Sequence, residues 1–187
     1  MPAPSTSTPV EAFPYCSVLA KVLPPREHQA ITTSTFLTPK SLTAITLVAV
    51  GHTLRSAAEA MGAKPTTLTS YLASAAQKLG CLQRVSMLVH RAYSHPDFPA
   101  PDLISRPAPD LDAYEWTVLS AHADGVMFKQ LRESRGLTEF ALTDINHSLM
   151  AKLEADSRPH AVRRAWQYGL LPRITAPAGL GAGGRVS

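Results

Sequence analysis

The sequence predicts an all-α protein built from two tandem four-helix domains joined by a proline-rich linker. Landmarks of residues 38–93 recur 74 positions later, in residues 111–171. Within each copy, apolar residues recur at the spacing of one helix face. Between the copies, residues 94–110 contain five prolines in 17 positions, which rules out a continuing helix and favours an extended connector.

The recurrence is a duplication in one register. Residues of several chemical types match at the same offset without an insertion: Gly51 with Gly125, Gly62 with Gly136, Arg55 with Lys129, and Lys78 with Lys152. Glycine, basic and apolar positions that all match in one register favour true duplication over chance.

Four short helices are predicted in the first copy. Thr38 suits the N-cap of the first helix, and Gly51 suits its end. Gly62 provides the turn into the third helix, which is predicted to run from Pro65 to Gly80. The apolar side chains predicted to face inward are Leu42, Ile45, Ala49, Ala57, Ala58, Met61, Leu68, Leu72, Ala75, Ala76, Leu79, Val85, Leu88, Val89 and Ala92.

The second copy follows the same plan. Asp112 and Glu115 have the spacing of a capping box, and Thr138 suits the N-cap of the third helix. Glu154 stands where the first copy has Gly80. The side chains predicted to face inward are Trp116, Leu119, Ala123, Leu142, Ile145, Leu149, Leu153, Ala161, Val162, Ala165 and Trp166.

Charge distinguishes the two copies. Residues 38–93 contain six basic residues and one acidic residue, a net charge of +5, whereas residues 111–171 contain seven basic and eight acidic residues. The first copy is therefore the better candidate for contact with a polyanion. The net charge of +4 for the whole chain permits such a partner without requiring one.

Other classes of protein lack support in the sequence. It has no nucleophile elbow, phosphate loop or zinc-ligand spacing, so we expect no enzyme activity, no metal and no cofactor. No run approaches the roughly 18 apolar residues of a membrane helix, and residues 1–10 lack a signal-peptide pattern. We expect a cytoplasmic protein with a partly disordered extension over residues 1–37 and a disordered tail over residues 172–187.

The first copy resembles the LuxR/GerE-type helix-turn-helix domain of bacterial transcription regulators. The matching residues are Leu37, Thr38, Pro39, Gly51, Ala57, Ala58, Met61, Gly62, Pro65, Thr67, Leu72, Lys78, Leu79, Gly80 and Arg84. The second copy resembles the same domain more weakly, through Leu111, Glu115, Val118, Leu119, Gly125, Lys129, Glu133, Gly136, Lys152, Leu153 and Arg158. The resemblance implies that the third helix enters the major groove of double-stranded DNA, the second braces the backbone, and the fourth packs against its twin.

The resemblance also implies which side chains contact DNA. Arg55 and Lys129 begin the second helices, and Lys78 and Lys152 end the third helices, where family members contact phosphate. The family commonly has lysine or arginine two residues after the position of Thr67, for base contact. Here Thr69, Ser70 and Tyr71 occupy that region. The full predicted DNA-binding set is Arg55, Lys64, Thr66, Thr67, Thr69, Ser70, Tyr71, Lys78, Lys129 and Lys152.

Phosphate positioning is thus expected in the first copy, with relaxed base reading, since hydroxyls discriminate less than a bidentate arginine. In the second copy, Phe140, Thr143, Asp144 and His147 take the groove-facing positions, and Asp144 would be repelled by phosphate. We expect that copy to have kept its fold and lost ordinary DNA reading. Arg84 and Arg158 are expected to be structural.

Two functions remain open. The first is a nucleoid-associated transcription regulator whose first domain makes the main DNA contact. Its fourth helices would form a pseudo-dimer within one chain, or two chains would form a homodimer. The alternative is a protein-binding adaptor that acts on RNA polymerase, a sigma factor or another regulator through the same scaffold.

Overall fold

The computed structural model describes residues 37–81, 84–96 and 98–171, and this part of the chain is all-helical, as predicted. Eight helices follow one another without an intervening strand in these residues. Their bounds are α1 Pro39–Val50, α2 Leu54–Ala60, α3 Pro65–Lys78, α4 Val85–Ser94, α5 Ala113–Asp124, α6 Phe128–Arg135, α7 Glu139–Leu153 and α8 Arg158–Gln167. None of them is long and apolar enough to cross a membrane. The predicted extension over residues 1–37, apart from Leu37, and the predicted tail over 172–187 lie outside the described residues.

Local capping signals set the helix boundaries where the sequence predicts them. The Thr38 hydroxyl accepts a hydrogen bond from the Ser41 backbone N–H at 3.2 Å, and Asp112 and Glu115 form a complete capping box. Gly51 ends α1 at φ 112°, a conformation that disfavours any residue with a Cβ.

Glu154 takes the left-handed conformation at the end of α7, with φ 52°. It occupies the repeat position of Gly80, which has φ 61°. A non-glycine residue is disfavoured there by about 1–2 kcal/mol. Ion pairs from the Glu154 carboxylate to Arg106 and Arg164 help to offset that strain.

A hydrophobic core runs through both halves of the chain. Its largest fully buried apolar side chains are Ile45, Leu68, Leu88, Leu119, Leu149, Leu153, Val89, Val118 and Val162. Most of the predicted inward positions are buried. Five of them, Leu42, Met61, Val85, Trp116 and Ile145, are only partly buried and pack against the edge of the core.

The two halves pack on each other through their fourth helices, α4 and α8. In addition, α1 packs on α8, and α5 packs on α4. In the repeat, α1 corresponds to α5 and α4 corresponds to α8. The contact of α1 with α8 is therefore equivalent to the contact of α5 with α4, as in an isologous dimer interface. Within this junction the Tyr93 hydroxyl accepts a hydrogen bond from the Arg163 guanidinium at 3.3 Å.

The proline-rich connection lacks helix from Pro96 to Asp112 in its described residues, and it contacts both halves of the chain. The Ile104 backbone N–H donates to the Gln167 carbonyl at 2.9 Å, and the Gln167 side chain donates to the Asp102 carbonyl at 3.2 Å. Phe98 is buried and meets the Tyr93 ring edge-on. These contacts fix the connection to the helices that it joins.

Candidate nucleic-acid interface

The third helix of the first half, α3, presents one packed face and one exposed face. Leu68, Leu72, Ala75 and Ala76 are buried against α1 and α2. Gly62, with φ 60°, lies in the turn that joins α2 to α3. Lys64 is the N-cap residue of α3, and its side chain does not cap the helix. The backbone N–H groups at the positive end of the α3 dipole therefore receive no hydrogen bond from the Lys64 side chain.

The exposed face of α3 is hydroxylic and contains no acidic residue. Thr66, Thr69 and Ser70 are all exposed. The Thr69 hydroxyl donates to the Pro65 carbonyl at 3.0 Å, and the Ser70 hydroxyl donates to the Thr66 carbonyl at 3.0 Å. Each hydroxyl has thus used its one proton within the helix, and its oxygen remains able to accept a hydrogen bond from outside.

Two residues of the predicted set lie at the edge of α3 instead of on its outward face. Tyr71 is half-buried against the core, its carbonyl accepts from the Ser41 hydroxyl at 3.3 Å, and the Lys40 ammonium lies 5.9 Å from its ring centroid. Thr67 is also half-buried. Tyr71 therefore serves first as a packing residue between α3 and α1.

Three basic side chains of the predicted set lie on α2 and at the two ends of α3. Arg55, at the start of α2, has an 85% exposed side chain and pairs with Glu59 at 3.2 Å. A surface pair of this kind contributes only about 0.3–0.5 kcal/mol, so a phosphate can replace it at little cost. Lys64 and Lys78 are exposed at the start and the end of α3.

The equivalent lysines of the second half differ from each other. Lys129 is exposed near the start of α6. In contrast, the Lys152 ammonium donates to the Glu115 carboxylate at 2.7 Å and to the Asp110 carbonyl at 2.9 Å. A phosphate would have to compete with this internal ion pair for Lys152.

Glu115 is the centre of a buried polar network that the sequence did not reveal. Its side chain is 1% exposed and also accepts hydrogen bonds from the Ser148 hydroxyl and the Asp112 backbone N–H. Burial opposes ionisation of Glu115, but the bonds from Lys152 and Ser148 outweigh it and lower the pKa of the carboxyl. The pairing with Glu115 also raises the pKa of Lys152.

The outward face of α7 has a different chemical character from that of α3. Phe140 is 76% exposed, and Thr143, Asp144 and His147 are exposed beside it in the sequence. Glu139 pairs with Arg132 at 3.1 Å. An exposed aromatic ring next to carboxylates is better suited to contact a protein partner than the phosphate backbone of DNA.

Comparisons with known proteins add no relative: no family model, curated protein or solved structure matches this chain. Within residues 37–81, 84–96 and 98–171, no group of three or more His, Cys, Asp or Glu side chains is arranged to hold a metal ion.

Proposed function

We propose that this protein is a DNA-binding transcription regulator with two LuxR-like helix-turn-helix domains in one chain, and that α3 makes the main DNA contact. The observation that carries the proposal is the exposed face of α3, which is free of acidic residues. Basic residues flank it at both ends, whereas its opposite face is fully used in packing. Such a surface can approach a polyanion without repulsion or loss of core contacts.

Phosphate contacts would position the protein. Arg55, Lys64 and Lys78 supply the positive charges around α3, and the weak pair with Glu59 leaves Arg55 available to phosphate. Contacts of this kind supply affinity and register, but they carry no sequence information.

Base reading would come from hydroxyl groups. Because the Thr69 and Ser70 protons stay within α3, these side chains can accept from the amino groups of adenine or cytosine, and the Thr69 methyl group can touch a thymine methyl. Each such contact discriminates less than a bidentate arginine. We therefore expect short, degenerate target sites in which A·T-rich shape contributes.

The pairing of α4 with α8 supports a pseudo-dimer within one chain, in place of the homodimer of two chains. In this arrangement a second half-site about 34 Å away, one turn of the duplex, would be met only if α7 also approached the duplex. The second half would act chiefly as a brace and a partner surface, since its α7 face carries Asp144 and Phe140.

The test is retention of fragmented genomic DNA by the purified protein at near-physiological salt, followed by affinity measurements on a retained duplex. Arg55→Ala with Lys78→Ala should weaken binding and reduce the slope of log affinity against log salt by about 2. Lys129→Ala, at the repeat position of Arg55, is the matched control and should have a smaller effect. Unchanged affinity in the double variant would overturn the proposed mechanism.

A protein-binding adaptor is the second candidate, and the exposed Phe140 ring favours it. The adaptor predicts no DNA affinity tighter than about 100 μM, the weak edge of nonspecific binding. It also predicts a co-purifying partner, such as RNA polymerase or a sigma factor, that is lost in Phe140→Ala. The matched control is Thr66→Ala, the same repeat position in the first half, which should leave the partner bound.

A further inference from the structure

An open cavity of about 310 Å³ lies between the first turns of α4 and α8 and the end of α5. Its walls include Arg84, Ser86, His122, Gly125, Arg158 and Pro159. Arg84 precedes α4 and Arg158 begins α8, and the two arginines hold equivalent positions in the repeat. The cavity therefore receives one arginine from each half of the molecule.

The cavity is positively charged. No carboxylate lines it, and neither arginine forms an ion pair with any residue that the structure describes. The Arg158 guanidinium lies 4.2 Å from the Phe128 ring centroid, and Phe128 in turn stacks on His122 at 5.3 Å. The aromatic stack holds Arg158 in place while leaving its hydrogen-bond donors available.

The two halves differ at a repeat position that borders the cavity. In the second half, the His160 ring packs against Gly51, with Nδ1 3.1 Å from the position that a Cβ would take there. The first-half equivalent of His160 is Ser86, which lines the cavity with a much smaller side chain. Beside it, Arg84 and Met87 make the corresponding approach to Gly125. The imidazole contacts Gly51 on one side of the junction, whereas on the other side Arg84 and Met87 contact Gly125 and the smaller Ser86 lines the cavity.

We propose that this cavity binds a small phosphate-bearing anion. The two arginines line one cavity without a carboxylate partner, and a guanidinium group offers the positive charge and the planar set of donors that a phosphate group accepts. The volume lies at the lower end of the range of small-molecule sites, which suits a single phosphorylated sugar or a similar ligand. Because each half supplies one arginine, the bound anion would tie α4 to α8 and stabilise their packing.

The test is calorimetric titration of the full chain with inorganic phosphate and with ribose 5-phosphate, using ribose as the uncharged control. The wild type should bind ribose 5-phosphate and not ribose, and saturating ligand should raise the thermal midpoint. Arg84→Gln with Arg158→Gln should lower the affinity at least 10-fold. Ser86→His, which copies the second half, should fill the cavity and lower it to a similar degree. Arg135→Gln, an exposed arginine outside the cavity, is the matched control and should bind as the wild type does.

The phosphate could also belong to a DNA backbone, and a duplex titration distinguishes this source. If the small phosphates do not bind, but the cavity variants weaken duplex binding and reduce its salt dependence, the site takes a backbone phosphate. If Arg84→Gln with Arg158→Gln and Ser86→His alter neither titration, the proposal is wrong. Circular dichroism establishes that the variants are folded, so a loss of binding can be assigned to the cavity.

Discussion

The indole N–H of Trp166 donates a hydrogen bond of 3.0 Å to Nδ1 of His90 across the junction of α8 and α4. Both side chains are buried, at 6% and 5% exposure, and their ring centroids lie 5.7 Å apart. Because Nδ1 accepts this bond, the histidine must be neutral there. Burial, reinforced by the nearby charge of Arg91, lowers the pKa of His90 to about 4, consistent with that state.

Replacing Trp166 should weaken the junction. We expect Trp166→Phe to lower the free energy of unfolding by about 1–3 kcal/mol, because the buried Nδ1 of His90 loses its donor. Urea unfolding followed by circular dichroism measures this change. Trp116, which is only partly buried, provides the matched control, and Trp116→Phe should change stability by less than about 1 kcal/mol. Equal losses in the two variants would contradict the importance of the bond.

Mild acid should destabilise the fold through two buried histidines. Burial lowers the pKa of His122 to about 4, as it does for His90, although a hydrogen bond with Asn146 opposes the shift. An unfolded histidine titrates near 6.5, so the unfolded chain binds more protons than the native one between about pH 6.5 and pH 4. Each histidine should thus remove about 2 kcal/mol of stability between pH 7 and pH 5.

Urea unfolding at several pH values tests this expectation. His90→Leu combined with Trp166→Phe removes both partners of the junction bond, and it should reduce the pH dependence by about half. His52 is exposed, so His52→Leu should leave the pH dependence unchanged. A wild-type stability that stays flat from pH 7 to pH 5 would show that the histidines are accessible to protons in the folded chain.

Lys152 should matter for stability far more than the exposed Arg55. Lys152→Met leaves the Glu115 carboxylate, 1% exposed, without its cation, and we expect a loss in the free energy of unfolding several times that of Arg55→Met. Arg55→Met breaks only an exposed pair and should lose less than about 0.5 kcal/mol. Both values come from chemical denaturation at neutral pH. If Lys152→Met is as stable as the wild type, the Glu115 pair is not needed for folding. Lys152 would then be available in the wild type for the phosphate contact predicted from the sequence.

A lysine on the face of α3 should strengthen DNA binding. Thr69 is exposed on that face, and Thr69→Lys adds a positive charge there. Duplex affinity should rise, and the slope of log affinity against log salt should steepen by about 1. Thr143→Lys, at the same repeat position on α7, is the control and should leave the slope unchanged. Equal gains would indicate that both helices approach the duplex, and no gain from Thr69→Lys would argue against α3 as the reading helix.

Helix boundaries and inward faces were predictable because local physics fixes them. The Thr38 cap, the Asp112–Glu115 box and the glycine at position 51 act within one or two turns of the chain. The all-helical class predicted from the sequence is confirmed, with four helices between residues 39 and 94 and four between residues 113 and 167 of the described chain. Edge positions such as Leu42 and Ile145 were harder, since helical spacing does not distinguish a buried side chain from one at the rim of the core.

The contacts between distant segments could not be read from the sequence. Glu115 was visible only as a capping residue, because its pair with Lys152 depends on how α5 and α7 pack. Arg84 and Arg158 are expected from the sequence to be structural, and only the packing of the helices places both on one cavity. The offset of 74 positions makes those two arginines equivalents, and it is the sequence feature that relates them.

The junction of α4 and α8 lies within a single polypeptide, so this paired arrangement does not depend on two molecules finding each other. It would persist at low protein concentrations, at which a dimer of two separate chains dissociates. Equivalent positions are also free to diverge, as Ser86 and His160 have done, because a substitution appears once and not twice. If the chain reads DNA, its target therefore need not be palindromic.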